Sequence, residues 1–228
     1  YSPDICMVTV DTSSSHYRIL WNKPTLNEAD SVFLYKDGPI LGQPIRLAGY
    51  SASAPAEYLD ILSNPAVKTE RYFLKVVDKC SKVSTGDGHT PVHLAINQGV
   101  GNIWNLIWSQ YSGSQVLTYN VYRGTNANNL QLLTSVSPGI TQYTDLYAPV
   151  GGIYYQIEAV LNVECSLSKT FTSSFSNVAR YSANGIEDEQ SKADFRIRNN
   201  PVTEHFSIDN GKLSFIASIS LLSLNGEP

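Results

Sequence analysis

Hydrophobic and polar residues alternate with a period of two along several short runs of this chain. Tyr17, Ile19 and Trp21 share one face of such a run, and Trp104, Leu106 and Trp108 share one face of another. Tyr72, Leu74 and Val76 repeat the pattern, as do Tyr155, Ile157 and Ala159. Successive side chains of an extended strand point to opposite faces, so each run predicts a half-buried strand. Turn-forming clusters lie between the runs: Asp37-Gly38-Pro39, Ser63-Asn64-Pro65, Ser112-Gly113-Ser114, Ser137-Pro138-Gly139 and Pro149-Val150-Gly151-Gly152. Such residues supply the backbone angles and local hydrogen bonds that turns need, and no amphipathic stretch of helical length interrupts them.

The runs repeat. Tyr17-Arg18-Ile19-Leu20-Trp21 recurs as Trp104-Asn105-Leu106-Ile107-Trp108, and Val32-Phe33-Leu34-Tyr35-Lys36 recurs as Tyr119-Asn120-Val121-Tyr122-Arg123, both 87 positions later. Further on the offset drifts to 83–85, pairing Tyr58-Leu59-Asp60 with Tyr143-Thr144-Asp145, Tyr72 with Tyr155, and Cys80 with Cys165. Each copy reads as about seven short strands, which must hide one face of each sheet against another sheet. The expected fold is therefore all-β, two consecutive seven-stranded β-sandwiches over 1–88 and 89–181, joined through Gly86-Asp87-Gly88-His89-Thr90. Residues 182–194 carry one large apolar side chain, Ile186, and have the composition of a linker. Alternation resumes over 195–228 with Phe206 and Ile208, an Asn210-Gly211 hairpin signal, Leu213 and Phe215, and Ile219 and Leu221. Two or three strands build no core alone, so this segment packs on a neighbour or opens a further domain.

Composition narrows the field. Of 228 residues, 42% are hydrophobic and only 16% charged, which excludes a charged disordered tail or a coiled coil. A net charge of −4 with no Lys/Arg cluster argues against nucleic acid and anionic membrane as partners, since both demand concentrated positive charge. No apolar run approaches the roughly 18 residues that span a bilayer. The opening Tyr1-Ser2-Pro3-Asp4 lacks signal-peptide character, and with no Met in first place the start reads as internal or processed.

The stretch from Tyr143-Thr144-Asp145-Leu146 through Pro149-Val150-Gly151-Gly152 to Tyr154-Tyr155-Gln156-Ile157-Glu158-Ala159-Val160 resembles the strand E to strand F signature of fibronectin type III domains, with Trp108 on strand B and Tyr119-Asn120-Val121-Tyr122-Arg123 on strand C. The first copy is similar through Trp21, Leu34-Tyr35-Lys36, Tyr58-Leu59-Asp60 and Tyr72-Phe73-Leu74. The resemblance implies a strand B Trp filling the space between sheets and a strand F aromatic pinning the corner through a hydroxyl bond to backbone. Ile5-Cys6-Met7-Val8-Thr9-Val10-Asp11 and 96–108 resemble segments of secreted surface proteins of Bacteroidota. Arg198-Asn199-Asn200-Pro201-Val202-Thr203, followed by Leu224-Asn225-Gly226, is similar to the type A sorting domain of the type IX secretion system. That resemblance implies export, with the export machinery as a partner of the C-terminal segment and a secreted or outer-surface address.

Within such a sandwich Cys6, near the start of strand A, and Cys80, at the end of strand F, share a pole. A Cys6–Cys80 disulfide is expected, worth about 4 kcal/mol in the chain-entropy picture, with Cys165 a lone thiol. The alternative is three reduced, buried cysteines acting as small hydrophobes.

Candidate chemistry is thin. There is no His-Glu-x-x-His, no Gly-rich phosphate loop and no Cys-x-x-Cys, and Gly49-Tyr50-Ser51-Ala52-Ser53 departs from the nucleophile elbow at its last position. His16, His89, His93 and His205 read as solvent-exposed. Glu28, Asp30, Asp60, Asp87 and Asp145 read as turn formers whose carboxylates bond nearby amides, and Asp87-Gly88 as a turn rather than a calcium site. Asp30-Ser31-Val32 resembles the Bacteroidota O-glycosylation acceptor. Tyr50, Tyr111, Tyr147 and Tyr154, on loops or outward strand phases, are the aromatics left over for a glycan or protein surface. The expectation is a non-catalytic spacer or adhesion module, with no catalytic, cofactor or metal site and an extracellular protein or glycan as possible ligand. The alternative is a glycan-binding accessory module of a polysaccharide-degrading protein.

Overall fold

The computed structural model describes residues 4–23, 29–166, 170–181, 196–198 and 207–209; among them there is no helix. The chain divides into two compact units, Tyr1–Ala183 and Asn184–Pro228. The first holds four sheets. β1 (Ile5–Val10), β2 (Tyr17–Trp21) and β5 (Glu57–Asp60) form one, in the order β1-β2-β5; β3 (Ala29–Lys36), β4 (Ile45–Ser51), β6 (Tyr72–Asp78) and β7 (Val83–Thr85) form another, in the order β4-β3-β6-β7. The second copy repeats this with β8 (Leu94–Gln98), β9 (Trp104–Trp108) and β12 (Gln142–Asp145) in the order β12-β9-β8. Facing them are β10 (Val116–Gly124), β11 (Gln131–Val136), β13 (Ile153–Ser166) and β14 (Thr170–Phe175) in the order β11-β10-β13-β14, with β15 (Ala179–Tyr181) also on β13. All pairings are antiparallel.

The period-two positions make the cores. Tyr17, Ile19 and Trp21 face Leu34, Tyr72, Leu74 and Val76 in the first; Trp104, Leu106 and Trp108 face Tyr119, Val121, Tyr155 and Ile157 in the second. Trp21 is 2% exposed and Trp108 3%, so each indole closes its sandwich. Edge-to-face contacts of Tyr17 with Tyr72 and of Trp108 with Tyr119, at 6.0 and 5.8 Å, fix the ring geometry.

β1 departs from alternation: all six of its residues are buried. Ile5, Val8 and Val10 belong to the first core, whereas Cys6 and Met7, with Leu20 of β2, belong to the second. An edge strand of one sandwich is thus covered on its other side by the next. The connection between copies is also built in. Tyr72 and His89 exchange backbone hydrogen bonds of 2.8 and 2.9 Å, and Thr90 and Ser112 exchange two of 3.0 Å. Gly86–Thr90, expected as a linker, is therefore tied to both sandwiches.

In the second unit, β16 (Arg196–Arg198) and β17 (Ser207–Asp209) pair antiparallel, with Ile197 opposite Ile208. The expected strand around Phe206 and Ile208 coincides in part with β17. The 182–194 linker, Asn199 to Phe206, the Asn210-Gly211 turn, the later strands and His205 lie outside the described residues.

Candidate functional site

The densest set of polar and covalent contacts lies where the two sandwiches meet. β13 runs for 14 residues against 7 in its counterpart β6. Beyond Leu161, its last residue paired to β10, it pairs only with β14, and this hairpin reaches along β1. The Ser174 hydroxyl donates to Val8 O at 2.7 Å, and Thr9 Oγ1 accepts from the Phe175 N–H at 2.8 Å. Further along, Cys165 forms a disulfide with Cys6, Cα to Cα 5.7 Å and 159 positions apart. A β-bulge between Ile5 and Met7 accompanies the turn of Cys6 toward the hairpin and away from its own core.

On the other flank, Tyr111 is 6% exposed, and its hydroxyl accepts the Val8 N–H at 3.0 Å. The same hydroxyl lies 2.9 Å from His89 Nδ1, so one hydrogen bond joins the two side chains. His89 is 4% exposed; burial pushes its pKa down to about 4 against the pull of the Asp4 and Asp87 carboxylates. A side chain at Gly113 would meet the His89 ring at 2.3 Å, and at φ +105° only glycine sits there without strain. His93 Nδ1 reaches Pro65 O at 2.9 Å, tying the second sandwich to the turn after β5.

Each sandwich also carries a buried carboxylate at the end of its E strand. Tyr72 Oη donates to Asp60 Oδ2 at 3.0 Å, and Lys36 Nζ bonds Asp60 at 2.9 Å and Glu70 at 3.1 Å. In the second copy Tyr155 Oη donates to Asp145 Oδ2 at 2.7 Å, and Arg123 Nη1 bonds both carboxylate oxygens at 3.1 and 2.8 Å. Burial acts to raise the Asp145 pKa, but Arg123 and Tyr155 together hold it below the ordinary range. Burial alone would lower Lys36, yet Asp60 and Glu70 hold it above its usual value. These are closed electrostatic corners, and their geometry locks one sheet to the other.

No family model matches the chain, and no curated protein is similar to it. Among solved structures, a two-domain fibronectin type III segment of chicken tenascin is 13% identical, covering 80% of this chain and 100% of its own, with a TM-score of 0.31. The central fibronectin III array of RIM-binding protein is 13% identical over 91% of this chain and 78% of its own, at 0.32. Pectate lyase PelI of Erwinia chrysanthemi is 20% identical over 40% of this chain, at 0.32, and the match spans 28% of that enzyme's length. Both sandwiches set their first, second and fifth strands in one sheet and their third, fourth, sixth and seventh in the other, the all-β two-sheet arrangement expected from the sequence.

Several expectations are corrected. The disulfide is Cys6–Cys165, not Cys6–Cys80, and Cys80 is the exposed free thiol. β6 stops at Asp78, whose Oδ1 accepts from the Cys80 and Lys82 amides at 2.8 and 2.9 Å, and the resulting tight turn leaves Cys80 in solvent. The sequence signal for the true partner was the continuous apolar run Ile5–Val8, the mark of a strand covered on both faces. His89 is buried rather than exposed, and His16 and His93 are partly covered, each with Nδ1 on a backbone carbonyl. Tyr111 is interior; Tyr50 lies against Trp21 at 5.6 Å; Tyr154 is half-buried; Tyr147 alone of the four is widely exposed, at 86%. Asp60 and Asp145 do cap turns, accepting from the Leu62 and Tyr147 amides, but they also take the Tyr72 and Tyr155 hydroxyls, which were expected on backbone. Asp30 and Asp87 are exposed, with Ser31 Oγ donating to Asp30 at 3.0 Å, and Glu28 lies outside the described residues.

Proposed function

We propose that this chain is a non-catalytic, extracellular spacer or adhesion segment of a bacterial surface protein, with two sandwich modules, 1–88 and 89–181, working as one stiff strut. Residues 195–228 serve as its contact with the export machinery. The observation that carries this reading is the Cys6–Cys165 disulfide between the modules. Disulfides persist in oxidising compartments, and a joint crossed by a covalent bond transmits load instead of hinging. Domains of the fibronectin III type are commonly non-catalytic spacers or binding modules. No described helix is long and apolar enough to cross a membrane.

The test is expression of the full chain in a type IX-competent host, with fractionation and disulfide mapping. Export dependent on 195–228, with Cys6 joined to Cys165, is expected; retention in the cytoplasm with three free thiols would sink the reading. A second reading, a glycan-binding accessory module, is favoured by a cationic, aromatic sheet face in the first sandwich.

A further inference from the structure

The outer face of the β4-β3-β6 sheet carries three aromatic rings, each with a cation on it. The Arg46 guanidinium lies 4.1 Å from the Phe33 centroid, Lys75 Nζ 4.9 Å from Tyr35, and the Arg71 guanidinium 5.5 Å from Phe73. Tyr35 and Phe73 stack with centroids 5.5 Å apart and planes 12° from parallel, so Lys75, Tyr35, Phe73 and Arg71 form one interleaved column. A side chain at Gly49 would meet Arg46 Nη2 at 2.4 Å and the Phe33 ring at 2.9 Å; glycine there is what lets Arg46 lie on the ring. Beside the column, the turn after β3 presents Ile40 and Leu41 to solvent, 59% and 101% exposed, and the two sides bound an open groove of about 660 Å³.

Charge sets this face apart from the rest of an acidic molecule. Arg71 pairs with Asp37 at 3.4 Å, with both side chains about half exposed; among the described residues Arg46 and Lys75 have no carboxylate partner. The other copy shows that the fold does not require the arrangement. In matching register, Phe33 opposite Lys75 becomes Asn120 opposite Glu158, and Tyr35 opposite Phe73 becomes Tyr122 opposite Gln156. There Glu158 accepts from Asn120 and from Tyr122 at 2.8 Å each, a satisfied acidic network with no cation in it.

We propose that this face of the first sandwich binds an anionic polysaccharide, whose carboxylate or sulfate groups pair with Arg46, Arg71 and Lys75. The inference rests on the accessory-module reading and names its site and ligand class. A cation lying on an aromatic ring keeps its outward N–H donors available and its side chain pre-ordered, so little freedom is lost when an anion arrives. Guanidinium matches the planar two-oxygen geometry of a carboxylate. The exposed aliphatic turn offers apolar surface to the C–H faces of sugar rings lying along the groove.

The experiment is native affinity electrophoresis of the full chain in gels holding alginate, dextran sulfate, neutral dextran or poly-L-glutamate, with K75E, R46Q and the charge-matched control K82E. Thermal melts establish that each variant is folded. Retardation by alginate or dextran sulfate, weakened by salt and by about tenfold in K75E or R46Q while K82E behaves as wild type, is the expected result. Which of the two polymers retards the chain identifies the anionic group. Equal loss in K82E, or retardation by poly-L-glutamate alone, overturns the site. Binding to neutral dextran untouched by these substitutions overturns the site but leaves the accessory reading standing; no retardation in any gel overturns both.

Discussion

Burial of His89 against Tyr111 sets a pH limit on the joint. In the unfolded chain the imidazole takes up its proton near pH 6.5, whereas in the folded chain it resists until about 4. Between those values the unfolded state binds more protons, so stability is complete above pH 6.5 and falls as the pH drops, by about 3 kcal/mol in all. H89N keeps a hydrogen-bonding side chain beside the Tyr111 hydroxyl without the titration. Urea unfolding at pH 7, 5.5 and 4.5 should give a shallower loss for H89N than for wild type; parallel losses would remove His89 as the cause. The cysteines make a second prediction at this scale. Denatured, unreduced protein should show one reactive thiol, Cys80, and three after reduction, with a tryptic cross-link between the peptides of Cys6 and Cys165. A Cys6–Cys80 cross-link would restore the pairing expected from the sequence.

Among the elements, the two corners offer a comparison within one molecule. Removing Asp145 leaves Arg123 and the Tyr155 hydroxyl without their carboxylate, whereas removing Asp60 leaves Glu70 still bonded to Lys36 and Tyr72. D145A should therefore destabilise by about 3–5 kcal/mol and D60A by less, as read from denaturant midpoints. Equal losses would mean that Glu70 does not substitute. T9V, nearly the same shape, takes the acceptor from the Phe175 N–H and should loosen the β13–β14 hairpin from β1 by about 1–2 kcal/mol. Hydrogen exchange over 170–175 would report it. Most elements were legible in the sequence because period-two alternation writes the inward face of a strand directly: Tyr17, Ile19 and Trp21 need no partner to be recognised. The extension of β13 was not, because residues beyond Leu161 alternate as a free strand would, and only the neighbouring sandwich gives them a face to cover. The corners were half legible; Asp60 and Asp145 were placed in turns, but their burial depends on a base from strand C and a tyrosine from strand F meeting at one point. The cationic face was invisible for a related reason, since Phe33, Tyr35, Arg46, Phe73 and Lys75 come from three strands, Arg71 from the residue just before β6, and they converge only through register.

At the scale of the molecule, tandem sandwiches ordinarily unfold separately, because a short connection buries little surface between them. Here β1 contributes Cys6 and Met7 to the second core, four described side-chain hydrogen bonds and the two Tyr72–His89 backbone bonds cross between the sandwiches, and the disulfide encloses most of both. Closing a loop of that length lowers the entropy of the unfolded chain enough to contribute about 5 kcal/mol in the chain-entropy model, with measured values commonly 2–4. The sandwiches should therefore melt in one transition while the bond is intact, with calorimetric and van't Hoff enthalpies agreeing over residues 5–181. In C6A/C165A, alanine removes the crosslink without leaving an unpaired polar group, and the midpoint should fall while the joint's hydrogen bonds remain. If those bonds and the Met7 and Leu20 contacts suffice, the variant still melts once, at lower temperature; if the disulfide is what couples the modules, two transitions separate. Two resolved transitions in the oxidised wild type would contradict the stiff-strut reading, because modules that unfold independently cannot carry load as one body.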